Sequence, residues 1–258
     1  MTPPPPIVTL LTDFGAGSGY PAQMKGVILS ALPGATIVDV SHEVPRHDVL
    51  AGALLLEACA PRFPSRAVHI AVVDPGVGTT RRPMCLVDRD GRRFVGPDNG
   101  LFTPFLVGGR SYLAADPKVV RGPVSATFHG RDVFAPVAAW LAGGGAAEEV
   151  GPAIADPVAL AWHVAERRGS EVRGQLVMAD SFGNVLTSIR DRDLRGAPAE
   201  VTAVGQPARF VSTYGEGRPG ELLALIGSSG RLEIAVREGN AAQLLGFRRG
   251  AAVVVRVS

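Results

Sequence analysis

Ile7-Val-Thr-Leu-Leu11 is short and almost uninterruptedly apolar or β-branched, the signature of a strand buried on both faces. A glycine-rich turn follows it, then a helical segment from about Pro21 to Ala31, then a second strand-like run, Thr36-Ile-Val-Asp-Val40. That spacing predicts a βαβ unit, and it repeats with a helix over Val49 to Ala60 and the strand Val68-His-Ile-Ala-Val-Val73. The N-terminal part is therefore expected to be an α/β domain with a mostly parallel sheet flanked by helices. In such sheets ligands gather beyond the carboxyl ends of the strands, where Asp13, the Ser41-His42 pair and Asp74 all fall.

Past a helix expected near Val133 to Ala142 the pattern changes. Gly143-Gly144-Gly145 leads into a proline-punctuated stretch through Pro157, and the charged run Glu166-Arg167-Arg168 follows. The boundary is placed between about residues 160 and 172, giving domains 1–165 and 172–258. Beyond it, short apolar runs at 174–179, 185–189, 200–204, 221–226, 232–236 and 252–257 alternate with turns and show almost no helical period. They predict a smaller, antiparallel, barrel-like all-β domain.

Composition narrows the function classes. Hydrophobic residues make up 46% and charged ones 19%, and the glycines and prolines punctuate loops without forming low-complexity tracts, so the whole chain is expected to fold. The net charge of +2 comes with only short clusters such as Arg81-Arg82, which is no footprint for nucleic acid. Cys59 and Cys85 sit in apolar surroundings and read as free thiols of a reducing compartment. Pro3 to Pro6 stand where a signal peptide would need a basic and an apolar region, and no segment approaches a membrane span. A cytoplasmic protein acting on small molecules is the expectation.

The chemistry concentrates in two loops, Val72-Val73-Asp74-Pro75-Gly76-Val77-Gly78-Thr79-Thr80-Arg81-Arg82 and Thr127-Phe128-His129-Gly130-Arg131-Asp132. They supply a carboxylate, a guanidinium and an imidazole, the groups that hold and deprotonate a water. From its segment alone Asp74 is as readily a turn cap, with Arg81 a solvated charge; equally, the loop is short enough to fold Arg81 back onto it. His129, by itself, reads as a structural histidine at a helix start. Of the others, His42 suits a supporting hydrogen bond, His69 lies within a strand, His47 stands in the loop after the second strand, and His163 falls in the expected linker. None has metal-ligand spacing, so no metal is expected. Asp13 suits the paired hydroxyls of a ribose, or else caps its turn. Gly15-Ala16-Gly17-Ser18-Gly19 lacks the Lys-Ser/Thr of a phosphate loop. In the second domain, Asp180-Ser181-Phe182-Gly183-Asn184 ends a strand in a glycine turn, and Asn240 suits either a ligand contact or a left-handed turn.

Together with Leu11-Thr12-Asp13-Phe14-Gly15, these motifs resemble, in order and over nearly the whole chain, the S-adenosyl-L-methionine (SAM) hydrolases, or SAM hydroxide adenosyltransferases, relatives of the fluorinating and chlorinating enzymes. The resemblance implies that Asp74, Arg81 and His129 surround an attacking water, with the base being Asp74 or His129. It implies that Asp180 meets the methionine ammonium while Phe182 and Asn184 face the adenine. Tyr214, Ser228, Asn240 and Ala241 match further elements on the adenine and methionine side. Tyr20 is a candidate on the methionine side, where the family often has Asp at the positions of Ser18 and Gly19. The implied reaction is hydrolysis of SAM to adenosine and L-methionine by attack at the ribose C5′, with SAM as substrate and no cofactor. The implied assembly is a homotrimer whose sites join the first domain of one subunit to the second of its neighbour. The halogenating relatives carry Tyr where this chain has Asp74 and Tyr-Ser where it has His129-Gly130, which favours hydrolysis. A halogenase-like substitution and a non-catalytic SAM or nucleoside binder are the alternatives.

Overall fold

The computed structural model describes residues 4–161 and 165–258, and the chain divides into two compact units, 1–161 and 162–258. His163 lies outside the described residues.

In the first unit, strand β1 (Ile7–Thr12) pairs in parallel with β2 (Thr36–Ser41) on one side and with β3 (Val68–Val72) on the other. Helix α1 (Tyr20–Ala31) makes the first crossover and α2 (Val49–Cys59) the second. Pro21 sits in the first turn of α1, where its missing N–H costs nothing, and Pro33-Gly34 stops the helix. Asp48 starts α2 by accepting a hydrogen bond from the Ala51 N–H at 3.0 Å.

Beyond β3 the sheet becomes mixed. β5 (Arg93–Pro97) continues the parallel half, whereas β4 (Pro83–Val87), β6 (Arg110–Leu113) and the two-residue β7 (Ala153–Ile154) run antiparallel to their neighbours. The order is β2-β1-β3-β5-β4-β6-β7. Val8, Leu10, Val68, Ile70 and Val72 share one core cluster with Met24 and Ile28 of α1 and Val137 and Leu141 of α3 (Ala135–Ala142). The alternate positions Thr9, Leu11, His69 and Ala71 face the other side of the sheet and are equally buried. His69 bonds Thr9 Oγ1 at 2.8 Å and stacks on Phe94, and burial pushes its pKa down to about 4, so it is a neutral core residue. Burial likewise pushes the Cys85 thiol up to about 12, and both cysteines are free.

The second unit holds β8 (Glu166–Arg168), β9 (Glu171–Ala179), β10 (Val185–Arg190), β11 (Pro198–Ala203), β12 (Gln206–Phe210), β13 (Leu222–Ile226), β14 (Arg231–Val236) and β15 (Ala252–Val257), with the single-turn helices α4 (Asp191–Leu194) and α5 (Ala241–Leu244). Strand β9 closes the sheet by pairing with both β15 and β10, giving the expected barrel-like form. All its pairings are antiparallel except β12 with β13. Gly174 faces inward, where a Cβ would stand 2.4 Å from the Ile189 side chain. The charged run Glu166–Arg168, read from sequence as part of the connection, is instead a strand hydrogen-bonded to β9. Its alternation carried no apolar signal because all three residues are exposed.

Candidate active site

The connection leaving β1 runs to β2 on one side of the sheet, and that leaving β3 runs toward β4 on the other. The carboxyl ends of β1 and β3 therefore flank the point where the winding reverses, the place where open α/β sheets form a crevice. Asp13 follows β1 there and Asp74 follows β3, with the Asp13 N–H donating to the Val72 carbonyl at 3.4 Å. A cavity of about 320 Å³ opens at this point, and Asp13, Phe14, Tyr20, Asp74, Phe128 and His129 line it. A wider depression of about 870 Å³, bounded by Leu32, Lys118 and Trp140, holds none of the motif residues.

The loop after β3 doubles back on itself. Val77 N–H donates to Asp74 O at 3.3 Å and Thr79 N–H to Gly76 O at 3.2 Å, while Gly78 takes a positive φ of 73°. This returns Arg81 to Asp74: its Nε donates to Oδ1 at 3.0 Å and its Nη2 to Oδ2. The side chains are only 6% and 4% exposed, so Arg81 is no solvated surface charge. The same Nη2 lies 3.0 Å from His129 Nδ1, and the guanidinium carbon lies 5.5 Å from the Phe134 ring centroid.

His129 enters the site at the head of a π-helical turn, Gly130–Phe134, that precedes α3. The helix expected from Val133 thus begins irregularly, a local departure common at functional sites. Because a guanidinium only donates, His129 Nδ1 is the acceptor and the ring hydrogen of the neutral imidazole sits on Nε2. Burial, and after it the charge of Arg81, holds the His129 pKa below the ordinary value of 6.5. Arg81 Nη1 is buried with no hydrogen-bond partner among the described residues. The cluster thus keeps a spare cationic donor, an imidazole N–H, and the unused lone pairs of Asp74.

Asp13 is held by the neighbouring loop, its Oδ2 accepting the His47 N–H at 2.9 Å. His47 has φ 63°, a strained left-handed value for a histidine. Behind Asp13, Thr12 Oγ1 lies 2.9 Å from His42 Nδ1, and His42 Nε2 lies 3.0 Å from Asp39 Oδ1. The Gly15 N–H donates to the His42 carbonyl at 2.8 Å and Val44 N–H to the Thr12 carbonyl at 3.3 Å. His42 therefore ties together the two loops that carry Asp13, Phe14 and His47. Tyr20 is the first residue of α1 and 52% exposed.

In the second unit, Asp180 Oδ1 accepts the Phe182 and Asn184 N–H groups, each at 2.9 Å, and Oδ2 accepts the Asn184 side-chain amide at 3.2 Å. This turn leaves Phe182 78% exposed. Gly183 (φ 83°) is pressed against Asn240, whose side chain would lie 2.2 Å from a Cβ there. Asn240 is not left-handed: its φ is −128°, and it caps α5 by accepting the Gln243 N–H at 2.8 Å. Ala241 is buried beneath it, and Ser228 is exposed in the β13–β14 turn. Tyr214 donates its hydroxyl to Glu233 Oε1. Burial raises both pKa values, with the nearby Asp180 charge adding to each. Glu233 escaped the sequence reading, although a charge inside the apolar run Leu232-Glu-Ile-Ala-Val236 was its visible signal. Among the described residues no group of three or more His, Cys, Asp or Glu is arranged to hold a metal ion, and no helix is long and apolar enough to cross a membrane.

Residues 8–151 match the family model of the SAM hydroxide adenosyltransferase N-terminal domain, and residues 174–254 match that of the C-terminal domain. The chain is 40% identical to the (R)-S-adenosyl-L-methionine hydrolase of Salinispora tropica, over 96% of each chain. It is 28% identical to a fluorinase of Nocardia brasiliensis, over 98% of this chain and 97% of that one. An uncharacterized conserved protein from Thermotoga maritima, known from its crystal structure, superposes with a TM-score of 0.90 at 32% identity, covering 96% of this chain and 99% of that one.

Proposed function

The chain belongs to the SAM hydroxide adenosyltransferase family, and from that premise we propose that it hydrolyses SAM to adenosine and L-methionine. The observation that carries the reading is the Asp74–Arg81–His129 cluster at the cavity where the sheet's winding reverses. Water attacks the ribose C5′, the C5′–S bond breaks, and its electron pair leaves on sulfur as the neutral thioether of methionine. The leaving group needs neither a proton nor a Lewis acid, so the reaction is assigned no metal and no cofactor. One proton is released from the water. His129 is poorly placed to take it, since Arg81 occupies its basic nitrogen; its Nε2–H instead donates to the water oxygen. Asp74 keeps lone pairs beside the two bonds to Arg81 and accepts the proton as the C–O bond forms. A carboxylate suffices as the acceptor, because a water oxygen becomes strongly acidic once it begins to bond to carbon. Arg81, always protonated, holds Asp74 and His129 in place, donating to both carboxylate oxygens and to the imidazole Nδ1. The same carboxylate would repel a halide, which disfavours the halogenase-like alternative.

Product analysis tests this reading. Incubation with SAM and a chelator, with and without added halide, should yield adenosine and methionine in every case. SAM recovered unchanged, or turnover that stops with chelator and returns with zinc or magnesium, would refute the corresponding half.

A pH profile checks the role given to His129. The neutral ring must accept from Arg81, and its pKa is lowered, so it stays neutral until the pH falls below 6.5. The acid limb of kcat/KM is therefore expected below pH 6.5, and a limb at or above that value would show that His129 is not held in this way.

We also infer a homotrimer, in which Asp13, Tyr20 and the Asp74 cluster of one subunit act with Asp180, Phe182, Asn184, Tyr214, Ser228, Asn240 and Ala241 of a neighbour. The division of the substrate-binding motifs between residues 1–161 and 162–258 supports it. Mixing inactive Asp74→Ala and Asp180→Ala proteins under subunit exchange should restore part of the activity, since some hybrid sites pair two intact halves. A mixture that stays inactive while exchanged wild-type protein survives would rule the shared site out.

A further inference from the structure

Three aromatic rings adjoin one another along the cavity of about 320 Å³: Phe14, Tyr20 and Phe128. Their centroids are 5.7 Å apart for Phe14 and Tyr20, 6.0 Å for Phe14 and Phe128, and 5.1 Å for Tyr20 and Phe128. The corresponding interplanar angles are 65°, 77° and 77°. The three planes are steeply inclined, so no single direction of approach is edge-on to all of them. The face of each ring is the negative side of its quadrupole. Both carboxylates in the cavity already have partners: Asp74 accepts from Arg81 through both oxygens, and Asp13 accepts the His47 N–H through one. The Arg131 guanidinium lies 5.1 Å from the Phe128 centroid, so that ring already shares its quadrupole with a protein cation, and Phe14 and Tyr20 carry the larger part of what remains.

Resting on the SAM reading above, we propose that Phe14, Tyr20 and Phe128 form a cation-binding wall that selects the sulfonium form of the substrate over neutral thioethers. The chemistry suits the reaction. The positive sulfur is recognised before attack; methionine leaves as a neutral thioether and loses the contact, which eases its release. Because the sulfonium charge disappears in the transition state, the rings add to substrate binding and nothing to the chemical step.

The test compares two non-reacting ligands by calorimetry: the S-demethylated thioether of SAM, which is neutral at sulfur, and an isostere in which a quaternary ammonium replaces the sulfonium. Wild-type protein is expected to prefer the cation. Phe14→Leu with Tyr20→Leu keeps apolar bulk but removes two quadrupoles, and should lower that preference about tenfold while leaving the thioether's affinity nearly unchanged. Tyr20→Phe should retain it. Since Tyr20 is half exposed, Tyr20→Leu alone tests the effect with the fold intact, thermal melting being the check. With SAM, the leucine variants should raise KM and leave kcat unchanged or higher. Equal binding of both ligands to wild type, or equal losses of both in the variants, would overturn the cation wall and leave the hydrolase reading standing. Failure of wild type to bind either ligand would instead remove the SAM reading itself.

Discussion

Asp74→Ala is expected to lower SAM turnover by about a hundredfold or more while SAM affinity changes only a few-fold, because the carboxylate acts on the water and not on the nucleoside. The same change strips Arg81 of its only carboxylate partner among the described residues, and that guanidinium is almost wholly buried. Leaving it unpaired costs about 3–5 kcal/mol of stability. Asp74→Asn separates the two consequences: its amide oxygen still accepts one arginine N–H, so it should melt closer to wild type yet turn over as slowly as the alanine variant. His129→Asn is the matching control on the other side of Arg81, since its side-chain oxygen can replace the accepting nitrogen while no imidazole N–H remains. Rapid kinetics, calorimetry and melting curves read these variants together. Full turnover by Asp74→Asn would remove Asp74 from the proton transfer, and loss of SAM binding in all three would make the cluster a binding element.

The second large effect is expected at a glycine with no chemistry of its own. A Cβ on Gly78 would stand 2.2 Å from the carbonyl oxygen of Ala126, and its φ of 73° is strained for any L side chain. Ala126 lies three residues before His129, so Gly78→Ala must push apart the two loops whose contact brings His129 to Arg81. Turnover should fall at least about tenfold, together with a stability loss of about 1–3 kcal/mol from the strained backbone. Gly91→Ala supplies the control: Gly91 has a similar φ of 82° but nothing within 4 Å of the added methyl, in a turn away from the cavity. It should cost stability alone. Equal kinetic effects from both substitutions would show that strain, and not displacement of the His129 loop, is responsible.

Much of this was readable along the chain, because the signals were local. Apolar runs bounded by glycine and proline placed β1, α1, β2, α2 and β3 within a residue or two, and the parallel βαβ pattern already put Asp13 and Asp74 at carboxyl strand ends on one edge. Less was readable where pairing creates the element. β4 to β7 and β12 carry little period of their own and become strands through hydrogen bonds to distant partners, and the exposed charges of β8 disguised it as a linker.

The candidate site divides in the same way. Sequence by itself determined which residue types are available, in which loops, and to which family the chain is similar; each of these is a property of neighbours in the chain or of ordered motifs. Only the tertiary structure decided how they act on one another. Whether Arg81 is a solvated charge or Asp74's partner depended on a loop that doubles back through a positive φ at Gly78. Which nitrogen of His129 carries the hydrogen depended on a guanidinium 48 residues away in sequence. The three rings of the cavity wall come from the end of β1, the start of α1 and the loop before α3, and Glu233 meets Tyr214 only across the second sheet. Protonation, tautomer and cation binding are set by what lies within a few ångströms in space, and spacing along a chain does not encode that distance.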